Sequence, residues 1–149
     1  MDARSGTGNP THDEVHAALN RVIASEALRG SPQLIAFLRF VVEATLRGEG
    51  HLIKAYTIAV EALGRGKDFD PNTDPIVRVE AGRLRRALER YYAGVGANDP
   101  MLIEIPRGHY VPEFRYRQIE SCTASIRNRI VESLRLFRTW LSKYLRAAN

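Results

Sequence analysis

Five of the thirteen residues from 78 to 90 are arginine (Arg78, Arg83, Arg85, Arg86 and Arg90), and none is lysine. A guanidinium is a planar fork of donors that grips phosphate oxygens or a guanine edge bidentately. Such density suits recognition of an anion rather than catalysis. The rival constellations are weaker. Asp68-x-Asp70-x-Asn72-x-Asp74 has the opening spacing of a calcium loop but lacks its glycine and terminal glutamate. Asp74 is also needed as a helix cap. His12 and His16 share a helix face, yet no third zinc ligand is near in sequence. Gly64-Arg65-Gly66-Lys67 lacks the spacing of a phosphate loop. Cys122 is the one cysteine, which excludes an intrachain disulfide, and it reads as a small buried hydrophobe. No nucleophile–base–acid set or carboxylate pair stands out. The expectation is a non-enzyme that needs no metal or cofactor.

Charge placement agrees with anion binding. The 149 residues carry a net charge of +5, with −2 on residues 1–74, +3 on 75–117 and +4 on 118–149. Nucleic acid and an anionic membrane are the two standard partners of such a basic half. Hydrophobic residues make up 44% and charged residues 26%, ordinary for one globular domain with an appendage. No uncharged apolar run approaches the ~18 residues of a membrane span. Residues 1–10 are polar and read as a disordered lead without a signal-type stretch. These features point to a cytoplasmic protein.

The elements that must position the arginines follow from caps and periodicity. Thr11 and Glu14 form a capping-box pattern ahead of Val15, Leu19, Val22 and Ile23, predicting a helix over 12–28 closed by Gly30. Ser31-Pro32 opens a second helix to about 47, with Leu34, Leu38, Val41, Val42 and Thr45 as its buried stripe. Residues 51–54 suggest one small strand, and Thr57 caps a short helix over 58–63. Residues 65–74 are a loop rich in turn formers. Asp74-Pro75 then starts the strongest periodic run in the chain. Val77, Ala81, Leu84, Leu88, Tyr91 and Val95 recur at helical spacing, predicting a helix over 75–93 stopped by Gly94 and Gly96. Two β-prone runs, 101–105 and 109–114, flank Pro106-Arg107-Gly108 and read as a hairpin.

On a helical wheel, Val77, Ala81, Leu84, Leu88 and Tyr91 share one arc, and Arg86 lies opposite with Val79, Arg90 and Arg83 beside it. Arg78 and Gly82 lie toward one edge of that exposed face. Glycine in mid-helix costs about 1 kcal/mol against alanine, and its lack of bulk permits close approach of a backbone. Glu80 and Glu89 are the carboxylates available to pair with these arginines.

The element order is helix, short strand, helix, helix, strand, turn, strand, that of a winged helix-turn-helix. The fold class expected is mainly α with a small β-hairpin, with extra N-terminal and C-terminal helices. In such a domain the third helix enters the major groove and the hairpin turn lies on the adjacent backbone or minor groove. Leu84-Arg85-Arg86-Ala87-Leu88, followed by Asp99-Pro100, Ile103, Ile105, Arg107-Gly108 and Tyr110, resembles the OmpR/PhoB-type winged-helix effector domain. That family closes its recognition helix with L-R-x-x-L and follows it with an I-x-T-V-R-G-x-G-Y wing. Residues 37–48, 56–65 and 69–92 are also similar to an N-terminal module of large bacterial adenylate-cyclase-like and tetratricopeptide proteins. The chain departs from the effector domain in opening with a helix rather than a small sheet, and in a wing one residue shorter. Residues 1–149 contain no receiver domain, so phosphorylation control is not implied.

The resemblance implies a bacterial, sequence-specific regulator of transcription bound to double-stranded DNA over 11–117. The family's polymerase-contacting loop maps onto 65–74, which makes RNA polymerase a further partner. The residues assigned to duplex contact are Arg78, Val79, Gly82, Arg83, Arg85, Arg86 and Arg90 on helix 75–93, with Arg107 and His109 in wing 106–109. Val79 is assigned to a thymine methyl. Residues 118–149 read as an amphipathic basic helix whose stripe includes Ile126, Ile130, Phe137, Leu141 and Tyr144. That stripe is read as the seam of a homodimer. Packing back onto helix 12–28 or lying on an anionic membrane are its alternatives. The rival function is a protein-interaction adaptor on the same scaffold, anchored through that helix.

Overall fold

The computed structural model describes residues 9–117; the stripe from Ile126 to Tyr144 lies outside them. Helix α1 spans His12–Ala24, α2 Pro32–Leu46, α3 Ala55–Thr57, and α4 Ile76–Ala93. Strands β1 (Met101–Glu104) and β2 (Glu113–Tyr116) pair antiparallel as a two-stranded sheet. The described part is mainly helical with one small hairpin.

Local chemistry explains most boundaries. At the start of α1 the capping box forms: Glu14 N–H donates to Thr11 Oγ1, and Thr11 N–H donates to Glu14 Oε2 at 2.9 Å. The helix ends at Ala24 rather than near 28. Ser25 is extended there, and its hydroxyl turns back to donate to Val22 O at 2.6 Å. Gly30 then reverses the chain at φ +77°, a left-handed conformation that strains any side chain. Ser31 does precede α2, but its side chain makes no cap hydrogen bond.

Two expectations for the middle of the chain are corrected. The strand expected at 51–54 is a single 3-10 turn, Gly50–Leu52. The helix expected from Thr57 begins earlier, at Ala55, and continues from α3 as a π turn over Ile58–Ala62. Thr57 sits inside it, accepting from Lys54 N–H at 3.0 Å while its hydroxyl lies 2.6 Å from Leu52 O. The 3-10 turn runs beside the hairpin: a Cβ at Gly50 would stand 3.5 Å from Val111 Cγ1.

The hairpin also differs from expectation. Its second strand is 113–116, not 109–114, so the connection is eight residues long, from Ile105 to Pro112. The register pairs Glu104 with Glu113. One step further, Ile105 would face Pro112 and Pro106 would face Val111. Proline has no N–H to give a ladder, so pairing stops and the turn hangs free of it.

The buried core comes from α1, α2, the π turn, α4 and β1, with α3 and β2 only partly buried against it. Val15, Leu19 and Val22 of α1, Phe37, Leu38 and Val41 of α2, Ile58, Leu84 of α4 and Ile103 of β1 are almost wholly buried together. Polar ties fix α4 to the rest. Tyr91 donates its hydroxyl proton to Asp99, which also accepts from Arg21 of α1 at 3.0 Å. Ile103 N–H, on the outer edge of β1, donates to Tyr92 Oη at 2.8 Å. Burial pushes both tyrosines up to about 12, and for Tyr91 the Asp99 carboxylate adds to the effect.

Candidate nucleic-acid interface

Helix α4 starts as its sequence requires. Asp74 Oδ1 accepts from Ile76 N–H at 2.9 Å, and Pro75 presets the first turn. The Asp70 carboxylate closes its own turn by accepting from Asn72 N–H at 2.9 Å. These oxygens serve the loop and the cap, and no group of three metal-ligating side chains occurs among the described residues.

Val77, Ala81, Leu84, Leu88 and Tyr91 form the buried stripe, extended by Ala87. Val95 does not continue it: the helix ends at Ala93, and Val95 is 80% exposed in the following turn. Glu80 does pair with a neighbouring arginine, but from a buried position, only 3% exposed. Its wheel position falls inside the buried arc. One of its oxygens accepts from Arg83 at 2.9 Å, and Oε2 has no hydrogen-bond partner.

The opposite face is open. Arg78, Val79, Arg83, Arg86 and Arg90 are exposed, with Val79 half out of contact at 50%. Gly82 has nothing within 4 Å of where a Cβ would stand. Among the described residues, Arg78, Arg86 and Arg90 make no ion pair, so their guanidinium groups point at solvent uncompensated. Arg83 is shared with Glu80, although its side chain remains 52% exposed.

Arg85 is a correction. The sequence places it among the duplex-contacting arginines, but its guanidinium reaches sideways into the hairpin turn. Nε donates to Ile105 O at 2.8 Å, and Nη2 donates to Pro106 O at 2.9 Å and His109 O at 3.1 Å. These carbonyls lie where the prolines have ended the ladder, so the arginine takes the place of the missing strand partner. Arg85 is therefore a positioning residue that latches the turn to α4. Arg107 and His109 remain exposed on that turn, and Gly108 between them has φ +96°.

The assembled surface has a cationic helix face at its centre, a latched turn bearing Arg107 on one side, and the start of α2 on the other. On that second side a cleft of about 470 Å³ lies between Ser31 and Leu34, at the start of α2, and Arg83, Arg86, Glu89 and Arg90 of α4. The cleft was not visible in the sequence, because it depends on segments about 50 residues apart meeting. No described helix is long and apolar enough to cross a membrane. No family model matches the chain, and neither a curated protein nor a solved structure is significantly similar to it.

Proposed function

We propose that residues 11–117 form a winged helix-turn-helix domain that binds double-stranded DNA and regulates transcription. In this reading α2, α3 and α4 are the three helices, α4 is the recognition helix, and the connection from Ile105 to Pro112 is the wing. The 3-10 turn at Gly50–Leu52 takes the place of the usual first strand, beside Val111 of the hairpin. The observation that carries the reading is the exposed face of α4 on which Arg78, Arg86 and Arg90 make no ion pair among the described residues, flanked by a turn that Arg85 fixes in place.

The chemistry follows from that arrangement. Arg86 and Arg90 stand on the face opposite the core and supply bidentate donors to guanine edges or phosphates. Val79 offers an apolar surface to a thymine methyl. Gly82 lets the helix axis approach the duplex without a side chain between. Arg107, beside a glycine at the wing tip, reaches the neighbouring backbone or minor groove. A homodimer, with its seam in residues 118–149, belongs to the same proposal and would present two copies of α4 to two half-sites. A mobility-shift assay on genomic fragments, including the region upstream of its own coding sequence, tests the reading. Retention of a subset of fragments at moderate salt is expected. No retained fragment at low salt would overturn it.

A further inference from the structure

The cleft between α2 and α4 is built from an excess of positive charge. Arg83, Arg86 and Arg90 stand at i, i+3 and i+7 along one edge of α4, and Glu89 is the one carboxylate in the lining. Those positions cover about 10 Å of helix, a length suited to a sugar–phosphate strand rather than to a lone carboxylate. The facing wall supplies donors of a different kind. Ile35 N–H is the first taken up by α2, donating to Ser31 O at 3.1 Å. Pro32 has no N–H, and the amides of Gln33 and Leu34 carry no hydrogen bond to another described residue. The Ser31 hydroxyl, which would cap them, makes no cap bond either.

We propose that this cleft seats a backbone phosphate of the bound duplex, held between the arginines of α4 and the uncapped first turn of α2. The proposal rests on the DNA-binding reading and sharpens it. α2 then has a second role beyond carrying core residues: it fixes the rotation of α4 in the groove from the side opposite the wing. Three arginines satisfy the charge of a phosphodiester, and the short amide–hydroxyl set satisfies its non-bridging oxygens. Arg83 is held at the cleft edge by buried Glu80, which limits its swing.

Ser31 gives a test that separates folding from binding. Aspartate and asparagine both cap a helix, so Ser31→Asp and Ser31→Asn keep or raise the thermal midpoint. Only aspartate places a negative charge in the seat. His12→Asp is the charge control, because His12 is exposed at the far end of α1, a helix length of roughly 18 Å from the loop leading to Ser31. Duplex affinity of the full chain is measured by fluorescence anisotropy. Ser31→Asp should weaken binding about 10-fold beyond His12→Asp, and Ser31→Asn, whose side chain takes up the same amides without adding charge, should weaken it by less than Ser31→Asp. Arg90→Gln should lower the slope of log K against log[salt] by about 1. If the parent binds duplex and Ser31→Asp binds no worse than the control, the seat is wrong and the DNA reading stands. A parallel titration with inorganic phosphate follows the Gln33 and Leu34 amides by NMR. If those amides respond while the parent binds no duplex, the cleft serves a free phosphorylated ligand, and the assignment to DNA is overturned.

Discussion

Replacing Arg85 by methionine keeps the apolar stem and removes the guanidinium fork. Three donor–acceptor contacts are lost, at 2.8, 2.9 and 3.1 Å, to the carbonyls of Ile105, Pro106 and His109. A hydrogen bond from a charged donor contributes about 1.5–3 kcal/mol. The first two are partly buried and the third is exposed, so water recovers a share when the fork is gone. A net loss of about 2–3 kcal/mol is expected, well below the sum of the three. Lysine offers one point charge and cannot span three carbonyls, so Arg85→Lys should recover less than half of the loss. Urea unfolding measures the stability, and amide exchange at Gly108 and His109 reports the order of the turn. The latch predicts faster exchange there in both variants while α1 and α2 stay protected. Unchanged stability together with unchanged exchange would refute it. So would a loss of DNA affinity equal to that of Arg86→Ala with the turn still ordered, because Arg85 would then be a direct contact.

Four further outcomes follow. Leu84→Ala, at a fully buried position, should cost roughly 2–5 kcal/mol, whereas Arg86→Ala should leave the thermal midpoint unchanged and weaken duplex binding. Gly82→Ala meets nothing within 4 Å and should stabilise the fold by about 1 kcal/mol; if α4 lies against the duplex, the same change lowers affinity, measured by anisotropy. Tyr91 and Tyr92 stay protonated in the folded chain up to about 12, above the ordinary value of 10.0. Their contribution is complete below pH ~10 and is lost between ~10 and ~12, where the unfolded chain ionises first. Urea midpoints that stay level from pH 9.5 to 11.5 would contradict this.

Helix α4 was legible because its start and its period agree: Asp74 and Pro75 cap it, and five apolar residues keep one face. The same wheel carries two further signals. Glu80 falls inside the apolar arc, and Arg85 falls at its edge rather than among the exposed arginines. What no local pattern contains is the destination of Arg85, whose acceptors lie 20 to 24 residues on. The misplaced second strand was readable in principle, since Pro106 and Pro112 cannot donate to a ladder, but only once the register was known. At 51–54 the apolar character of Leu52 and Ile53 suggested a strand, yet Leu52 is half exposed and only Ile53 is buried. Propensity gives no basis for telling one 3-10 turn from so short a strand. The cleft beside Ser31 arises from packing of α2 on α4 and left no mark in sequence beyond its individual residues.

The central claim is that the exposed arginines of α4, together with Arg107, bind the phosphates of a duplex. Its most direct test is the salt dependence of duplex binding for the parent chain and for the pair Arg86→Gln and Arg107→Gln. With about 6 phosphates neutralised, log K should fall with log[salt] at a slope near −5, and each substitution should make that slope shallower by about 1 without moving the thermal midpoint. A slope near zero, or one that neither substitution alters, would contradict the account.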